Sequence, residues 1–151
     1  MFEGFVQRQF DRAQNRLDVA AIVAMWNEDA VFEFPGRTPV SGRFEGRPAI
    51  DAWWRRWVAR YARVRFTVKH VGVVSLRRRV TMIAWDFDGT TDDGIRLQTS
   101  GVTLARTRGG KISYAKDYLI DPTALERVWG AIPEREQRVE VRNEAAASAP
   151  G

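Results

Sequence analysis

The spacing of apolar residues predicts three helices in the first half of the chain. A first helix over 6–17 presents four apolar residues on one face, at intervals of three and four: Val6, Phe10, Ala13 and Leu17. Asp18 precedes a second apolar stripe and is typical of a helix N-cap. Gly46 and Pro48 introduce the third helix, whose apolar face runs from Ile50 to Tyr61. Each helix is therefore expected to bury one face.

A change of period marks the strands. AVFEF (Ala30–Phe34) predicts a short strand that Pro35 and Gly36 end. After Tyr61, apolar and polar residues alternate, as they do in a strand with one buried face. Further strands are predicted at about Val80–Gly89, Arg96–Arg106 and Lys111–Leu119, and a last short helix from Asp121–Pro122 to near Gly130.

The order of these elements predicts an α+β fold. Because the helices come first and an antiparallel meander follows, we expect a strongly curved sheet wrapped around the N-terminal helices as a cone. The open end of such a cone is a pocket. One domain over 1–130 accounts for the elements, whereas 131–151 is polar, then rich in Ala, Ser and Pro, and is predicted to be a disordered tail.

Composition excludes several classes of protein. The chain has 151 residues and no cysteine, which excludes disulfides and thiolate chemistry. No window approaches the roughly 20 apolar residues that a membrane helix needs, and the start lacks the apolar run of a signal peptide. A cytoplasmic protein without a membrane partner is therefore expected.

Charge adds one further question. The net charge is +5, and Arg outnumbers Lys by 21 to 3. A basic balance can indicate nucleic-acid binding. Here the arginines are scattered, and the densest run, Arg77–Arg79, is predicted to be a solvated hairpin turn. No nucleic-acid motif accompanies it, so no nucleic-acid partner is expected.

Three segments carry a resemblance to a known family: LDVAAIVAMWNEDAVFEFPG, SGRFEGRPAIDAWW and GGKISYAKDYLIDPTAL. They resemble the SnoaL-like branch of the nuclear transport factor 2-like superfamily, over roughly residues 5–130. The resemblance implies the cone-shaped, cystatin-like sheet. The superfamily includes polyketide cyclases, ketosteroid isomerases, limonene-epoxide hydrolases, scytalone dehydratases and members that only bind, so the fold alone does not settle the function.

The mechanism of the ketosteroid isomerases is not expected here. That mechanism uses an aspartate base, with a tyrosine and a protonated aspartate as oxyanion donors. Alignment with that family puts Phe34, Phe10 and Val102 at these three positions. Trp26 and Trp54 replace two supporting tyrosines. Every polar group of the mechanism is therefore absent.

Asp117 is the first catalytic candidate. The resemblance to the SnoaL-like cyclases implies an acidic residue on the final strand, and strand parity groups Asp117 with Ser113, Ala115 and Leu119. A lone carboxylate among apolar side chains is desolvated, which raises its pKa toward the range where it exchanges protons with a substrate. The alternative is a structural carboxylate satisfied by a buried partner, such as His70, Ser100 or an indole N–H.

His70, the only histidine, is the second catalytic candidate. It alternates with Phe66 and Val68, so parity points it inward, where it could form an acid/base dyad with Asp117. Such a dyad resembles the scytalone dehydratases in part. The alternative is a structural residue at a strand end. No metal site is expected, because His70 has too few plausible co-ligands.

The predicted pocket lining is mostly aromatic. Trp26, Trp54 and Trp85 are expected to contact a ligand, which suits a flat or apolar molecule. Gln98 and Ser100 are expected on the inward face of their strand, where they would orient a carbonyl or hydroxyl group, or satisfy the carboxylate. The predicted ligand-binding residues are Phe10, Trp26, Phe34, Trp54, Trp85, Phe87, Gln98, Ser100, Val102 and Leu119.

The parity of the preceding strand leaves one alternative open. Ile83, Trp85 and Phe87 share the face that we take as inward. If that parity is reversed, Asp86 becomes a second catalytic candidate. The Asp-Arg-Asp arrangement of the epoxide hydrolases would then be favoured, although position 84 is Ala rather than Arg.

These residues lead to the hypothesis of a cofactor-free enzyme that moves a proton α to a carbonyl of a hydrophobic compound such as a polyketide, giving cyclisation or isomerisation. The first alternative is a protein that binds a hydrophobic ligand without chemistry, and the second is an epoxide hydrolase or dehydratase of the same fold. The third is association through the outer sheet face, where a homodimer surface is expected from Tyr114, Tyr118, Thr103 and Thr99.

Overall fold

The structure, a computed structural model, describes residues 2–132. The helices are α1 (Phe2–Arg12), α2 (Val19–Ala24), α3 (Arg47–Arg60) and α4 (Glu126–Trp129), with 3-10 turns at Gln14–Arg16 and Pro122–Leu125. The strands are β1 (Trp26–Phe34), β2 (Gly42–Glu45), β3 (Tyr61–Ser75), β4 (Val80–Thr91), β5 (Arg96–Arg108) and β6 (Lys111–Leu119). Most of the tail predicted over 131–151 lies outside the described residues. No helix within 2–132 is long and apolar enough to cross a membrane.

The six strands form one curved sheet in the order β2-β1-β6-β5-β4-β3. The predicted meander from β3 to β6 is antiparallel throughout. β1 then joins β6 in parallel, and β2 covers β1 at the sheet's far edge. The predicted α+β fold, with N-terminal helices against a curved sheet, is confirmed.

Two parts of the N-terminal prediction need correction. The first helix ends at Arg12, a 3-10 turn follows, and Leu17 takes a left-handed φ of 57° before α2 begins. β1 begins at Trp26 rather than at Ala30, and β2 was not predicted because GRFE has no apolar alternation. The N-cap prediction is confirmed, since the Asp18 carboxylate accepts a hydrogen bond from the Ala21 N–H at 3.0 Å.

Side-chain amides fasten the first helical segment to the exposed edge of β3. Asn15 Oδ1 accepts from the Phe66 N–H at 2.6 Å, and Asn15 Nδ2 donates to the Phe66 carbonyl at 3.2 Å. Gln7 Oε1 accepts from the Val68 N–H at 2.7 Å. These bonds satisfy edge-strand groups that would otherwise be open to another chain. They also hold Phe10, which lies between the two amides in sequence, over the inner face of the sheet, where it packs against Phe66.

Three tryptophans form the aromatic core under α3. Trp53 and Trp57 stack with ring centroids 5.1 Å apart, and Trp57 stacks on Trp129 at 5.4 Å. The Trp53 indole N–H donates to the Val40 carbonyl at 2.8 Å, so its polar atom is satisfied inside the core. Trp53 is thus fixed in position by ring stacking and by this hydrogen bond.

Candidate functional site

An apolar cavity of about 90 Å³ lies between the first helical segment and the inner face of the sheet. Six aromatic rings line it: Phe10, Trp26, Phe32, Trp54, Phe66 and Trp85. Its polar side chains are Gln14, Thr103 and Asp117, and of the described residues that line it Asp117 alone is titratable. Four of the predicted ligand-binding residues, Phe10, Trp26, Trp54 and Trp85, therefore share this cavity with the first catalytic candidate.

A second, smaller cavity of about 20 Å³ adjoins the first. Asp117, Trp54, Trp85 and Phe66 line both, so the Asp117 side chain borders the two spaces. The other predicted ligand residues that face inward border this smaller cavity: Phe34, Phe87 and Leu119. The smaller cavity has room for about one water molecule.

The Asp117 carboxyl ends a short hydrogen-bonded relay. The strand register pairs Thr103 with Asp117, and Thr103 Oγ1 donates to Asp117 Oδ1 at 2.6 Å. The buried Trp85 indole N–H donates in turn to Thr103 Oγ1 at 2.8 Å. Because the hydroxyl is fixed as acceptor from the indole, its own proton is directed at the carboxyl. Within residues 2–132 no other hydrogen bond reaches the Asp117 carboxyl, so Oδ2 is available to a ligand.

Burial sets the protonation of this carboxyl. Asp117 keeps some accessible surface, yet its carboxyl lies among the apolar side chains of both cavities, and this desolvation raises its pKa to about 7. The Thr103 hydrogen bond acts in the opposite direction and lowers the pKa by less. Near neutral pH, Asp117 is consequently populated both as an acid and as a base.

Gly101 gives the Trp85 ring the space to reach Thr103. The two residues face each other across β4 and β5, and a Cβ atom at position 101 would lie 2.8 Å from the Trp85 ring and 2.6 Å from the Tyr118 carbonyl oxygen. Both distances are shorter than a carbon atom tolerates. The relay to Asp117 depends on this glycine.

We expect Gly101→Ala to destabilise the fold by about 1–3 kcal/mol, because the added methyl overpacks the inner face. It should also change the intrinsic fluorescence, since the Trp85 indole must move. Gly72→Ala on β3 is the matched control, because its Cβ would meet nothing within 4 Å. Chemical unfolding of both variants measures the effect, and equal stability of the two would contradict a close contact at Gly101.

The prediction that His70 points inward is wrong. A β-bulge between Val68 and His70 shifts the register, so that Val68 pairs with Trp85 but His70 pairs with Ala84. The extra residue turns His70 to the outer face, where it is exposed. The structure therefore does not bring His70 together with Asp117.

The inward face predicted for β5 is also wrong. Gln98 is exposed, and Ser100 and Val102 share its outer face, because the buried residues Leu97 and Ala105 fix the opposite parity. Thr99 and Thr103, predicted for the outer face, instead line the cavities. Two apolar residues on the outer face, Val102 and Leu104, obscure this parity in the sequence.

Asp86 lies on the outer face of β4. Its Oδ1 accepts from Ser100 Oγ at 2.7 Å, and Lys69 Nζ is 3.6 Å from its Oδ2. Trp85 and Phe87 are buried on the inner face of β4, which is the face taken as inward from the sequence. Ser113 is also displaced from the predicted inner face, because an irregularity in the pairing of β5 with β6 leaves Ile112 in the cavity lining.

Gln14 is a lining residue that the sequence reasoning missed. Its Oε1 is buried without a hydrogen-bond partner in the described part of the chain, as is Trp54 Nε1 in the same lining. Two atoms of residues that line the smaller cavity, Trp57 Nε1 and Thr99 Oγ1, are likewise buried without a hydrogen-bond partner in the described part of the chain. A polar residue at the i+4 position from Phe10, on an otherwise apolar helix face, was the available signal. These are groups that a polar ligand or water can satisfy.

The sequence pattern of the SnoaL-like domain family matches residues 6–115. The chain belongs to this family. No curated protein matches the chain.

Among residues 2–132 no three acidic or histidine side chains are grouped so as to hold a metal ion.

Solved structures of the same fold are numerous. A putative isomerase from Bacillus subtilis is 25% identical, with a TM-score of 0.71 and coverage of 83% of this chain and 91% of that one. A nuclear transport factor 2-like protein of unknown function from Burkholderia pseudomallei is 17% identical, with a TM-score of 0.70 over 82% and 94%. TerC, co-crystallized with polyporic acid, is 14% identical, with a TM-score of 0.68 over 84% and 95%. Family and fold together support a small-molecule isomerase or binding role.

Proposed function

We propose that this protein is a cofactor-free enzyme that moves a proton α to a carbonyl group of a small hydrophobic compound. The observation that carries the proposal is the Asp117 carboxyl, which faces an aromatic cavity with one oxygen held by Thr103 and a pKa of about 7. A carboxyl with this pKa can take up and return a proton at neutral pH without a partner acid.

The proposed reaction needs three functions from the cavity. Asp117 Oδ2 removes the α proton, and the electron pair of the broken C–H bond forms the enolate. Trp54 Nε1–H and the Gln14 amide, turned to present its NH₂ group, are the donors available to the enolate oxygen. In isomerisation, Asp117 then returns the proton at another carbon. In cyclisation, the enolate carbon attacks a second carbonyl of the same molecule, the π pair of that carbonyl moves to its oxygen, and the resulting alkoxide takes the proton from Asp117.

The size of the cavity limits the substrate. Sites for drug-sized ligands enclose roughly 300–1,000 Å³, whereas the two cavities here measure about 90 and 20 Å³. We propose a compact substrate, such as a polyketide fragment of one or two rings. The structural similarity to TerC, which was co-crystallized with polyporic acid, supports a small organic ligand for this fold.

A binding protein without chemistry is the second candidate. It is favoured by the fact that, of the described residues lining the larger cavity, Asp117 alone is titratable. The epoxide hydrolase and dehydratase alternatives are less well supported, because Asp86 and His70 lie on the outer face.

A thermal-shift screen tests the proposal. The panel spans aromatic polyketides, steroids, terpenes and epoxides, with wild type and Asp117→Asn side by side. A ligand at 100 times its Kd adds about 2.7 kcal/mol, which raises the unfolding midpoint by several degrees. We expect a compact carbonyl compound to stabilise both variants and to be converted by the wild type alone. A compound recovered unchanged from the wild type would favour the binding protein.

We further propose that the outer sheet face forms a homodimer. Thr99 and Thr103 point inward and so do not belong to this surface. The homodimer is supported by exposed large side chains on the outer face, where Tyr118 is 48% and Met82 40% exposed. Light scattering measures the mass in solution, and a monomer at micromolar concentration would contradict this surface.

A further inference from the structure

Five arginines surround one depression on the outer face of the sheet: Arg77, Arg78, Arg79, Arg106 and Arg108. The first three come from the turn between β3 and β4, and the other two from the end of β5. Thr107, Ser113 and Tyr114 complete the lining, and the depression measures about 460 Å³. We call these five residues the arginine cluster. It lies on the face opposite Asp117, because the Arg106–Tyr114 pair comes directly after the inward pair Ala105–Ala115 and so has the opposite parity.

Four of the five positive charges of the arginine cluster are not neutralised by an ion pair in the described part of the chain. Arg108 is paired with Asp29, but within residues 2–132 no acidic side chain makes an ion pair with Arg77, Arg78, Arg79 or Arg106. The other arginines in ion pairs, such as Arg55 with Asp51 and Arg96 with Asp88, show that the chain elsewhere supplies partners. Four guanidinium groups that lack an ion pair among the described residues are therefore concentrated around one depression.

The backbone at Arg79 adds an independent observation. Arg79 has a φ of 53°, in the left-handed region that glycine adopts at least cost. The turn is fixed there, because the Arg79 N–H donates to the Leu76 carbonyl and the Arg79 carbonyl accepts from the Thr107 N–H, both at 3.2 Å. A left-handed residue commonly closes a short hairpin loop, and this one fixes where the side chain leaves the turn. Here that side chain is a guanidinium group at the edge of the depression.

We propose that the arginine cluster binds a small ligand that carries two or more adjacent phosphate groups. Guanidinium groups donate paired hydrogen bonds to phosphate oxygens, and several of them around one concave surface match a multiply charged anion. The volume of the depression lies in the range of small-ligand sites. Two carboxylates lie at its border, Asp29 on Arg108 and Glu33 on the Tyr114 hydroxyl, and they would repel a longer polyanion. This site is independent of the function proposed for Asp117.

Calorimetric titration of the full chain with inorganic pyrophosphate tests the proposal, with sulfate at equal ionic strength as the reference anion. We expect one saturable site for pyrophosphate. Arg106→Gln should weaken it about tenfold. Arg79→Gly should weaken it similarly while raising the midpoint of thermal unfolding, because glycine relieves the left-handed backbone. Arg63→Gln, at the opposite end of β3, is the charge-matched control and should leave the affinity unchanged.

The remaining titrations separate the sources of the phosphate groups. Tighter binding of ADP than of pyrophosphate would support a nucleotide, and equal binding would support the phosphate groups alone. The proposal is overturned if pyrophosphate binds no better than sulfate, or if Arg63→Gln weakens binding as much as Arg106→Gln. It is also overturned if a 20-nucleotide single strand binds and pyrophosphate does not compete with it, because the cluster would then recognise a polymer.

Discussion

Replacing Asp117 with Asn should abolish turnover of any carbonyl compound that the cavity binds, and leave its affinity almost unchanged. Asn keeps the shape of the side chain and an oxygen that accepts from Thr103, but it cannot take up a proton. A positioned general base contributes about 10²- to 10⁴-fold, so kcat should fall by at least the lower figure while KM changes little. Steady-state kinetics on the compound found by the screen measure both constants.

Two outcomes would contradict the assignment of Asp117. Loss of binding in Asp117→Asn would make the residue a ligand contact rather than a base. Turnover retained within about threefold would place the chemistry elsewhere. Thr103→Val is the informative companion variant, because it removes the hydrogen bond that lowers the pKa of Asp117. The acid limb of the activity profile, where the base becomes protonated, should therefore move to higher pH.

Asp117 should also make the wild type less stable as pH rises from about 4 to 7. Its pKa is raised from 3.8 in the unfolded chain to about 7 in the folded protein, so over this range the folded state binds more protons. Stability contributed by this group is then complete below the unfolded pKa and is lost as pH rises through the folded pKa. Between pH 5 and pH 8 the loss is up to about 3 kcal/mol, from about 1.4 kcal/mol per pH unit.

The measurement is the free energy of unfolding of wild type and Asp117→Asn at both pH values. The difference between the variants isolates this group, because the ion-paired carboxylates Asp88 and Asp93, whose pKa values are lowered, act alike in both proteins. Asn does not titrate, so the variant should gain stability relative to the wild type at pH 8. A difference between the variants that stays constant with pH would mean that the Asp117 carboxyl is solvated and that its pKa is not raised.

The sequence was sufficient for the fold and for the position of Asp117. Helical spacing around the tryptophans of α3, the cap at Asp18 and the meander after Tyr61 all correspond to the structure. Asp117 lies in an aromatic cavity, as its position on the last strand predicted. The helices, the cap and the strands depend on local periodicity, which a single chain displays directly. The inward direction of Asp117 came from the family resemblance together with strand parity.

The sheet face on which some strand residues lie could not be predicted from the sequence pattern, because it depends on how neighbouring strands pair. One bulge after Val68 turns His70 outward, and the alternation of β5 reads equally well with Val102 or Thr103 inside. Pairing with Asp117 would have selected Thr103, since directly opposite residues share a face. The arginine cluster shows the same limit, because Arg106 joins Arg79 only through the folding of β5 beside the β3–β4 turn.

Deuterium exchange at the carbon α to the carbonyl of the bound compound is the most direct test of proton transfer by Asp117. The compound from the screen is incubated in D₂O with wild type or Asp117→Asn, and its mass is followed with time. We predict exchange catalysed by the wild type, faster above pH 7 where Asp117 is ionised, and none above the uncatalysed rate with the variant. Equal exchange with both proteins, or none with the wild type although the compound binds, would contradict proton transfer by Asp117.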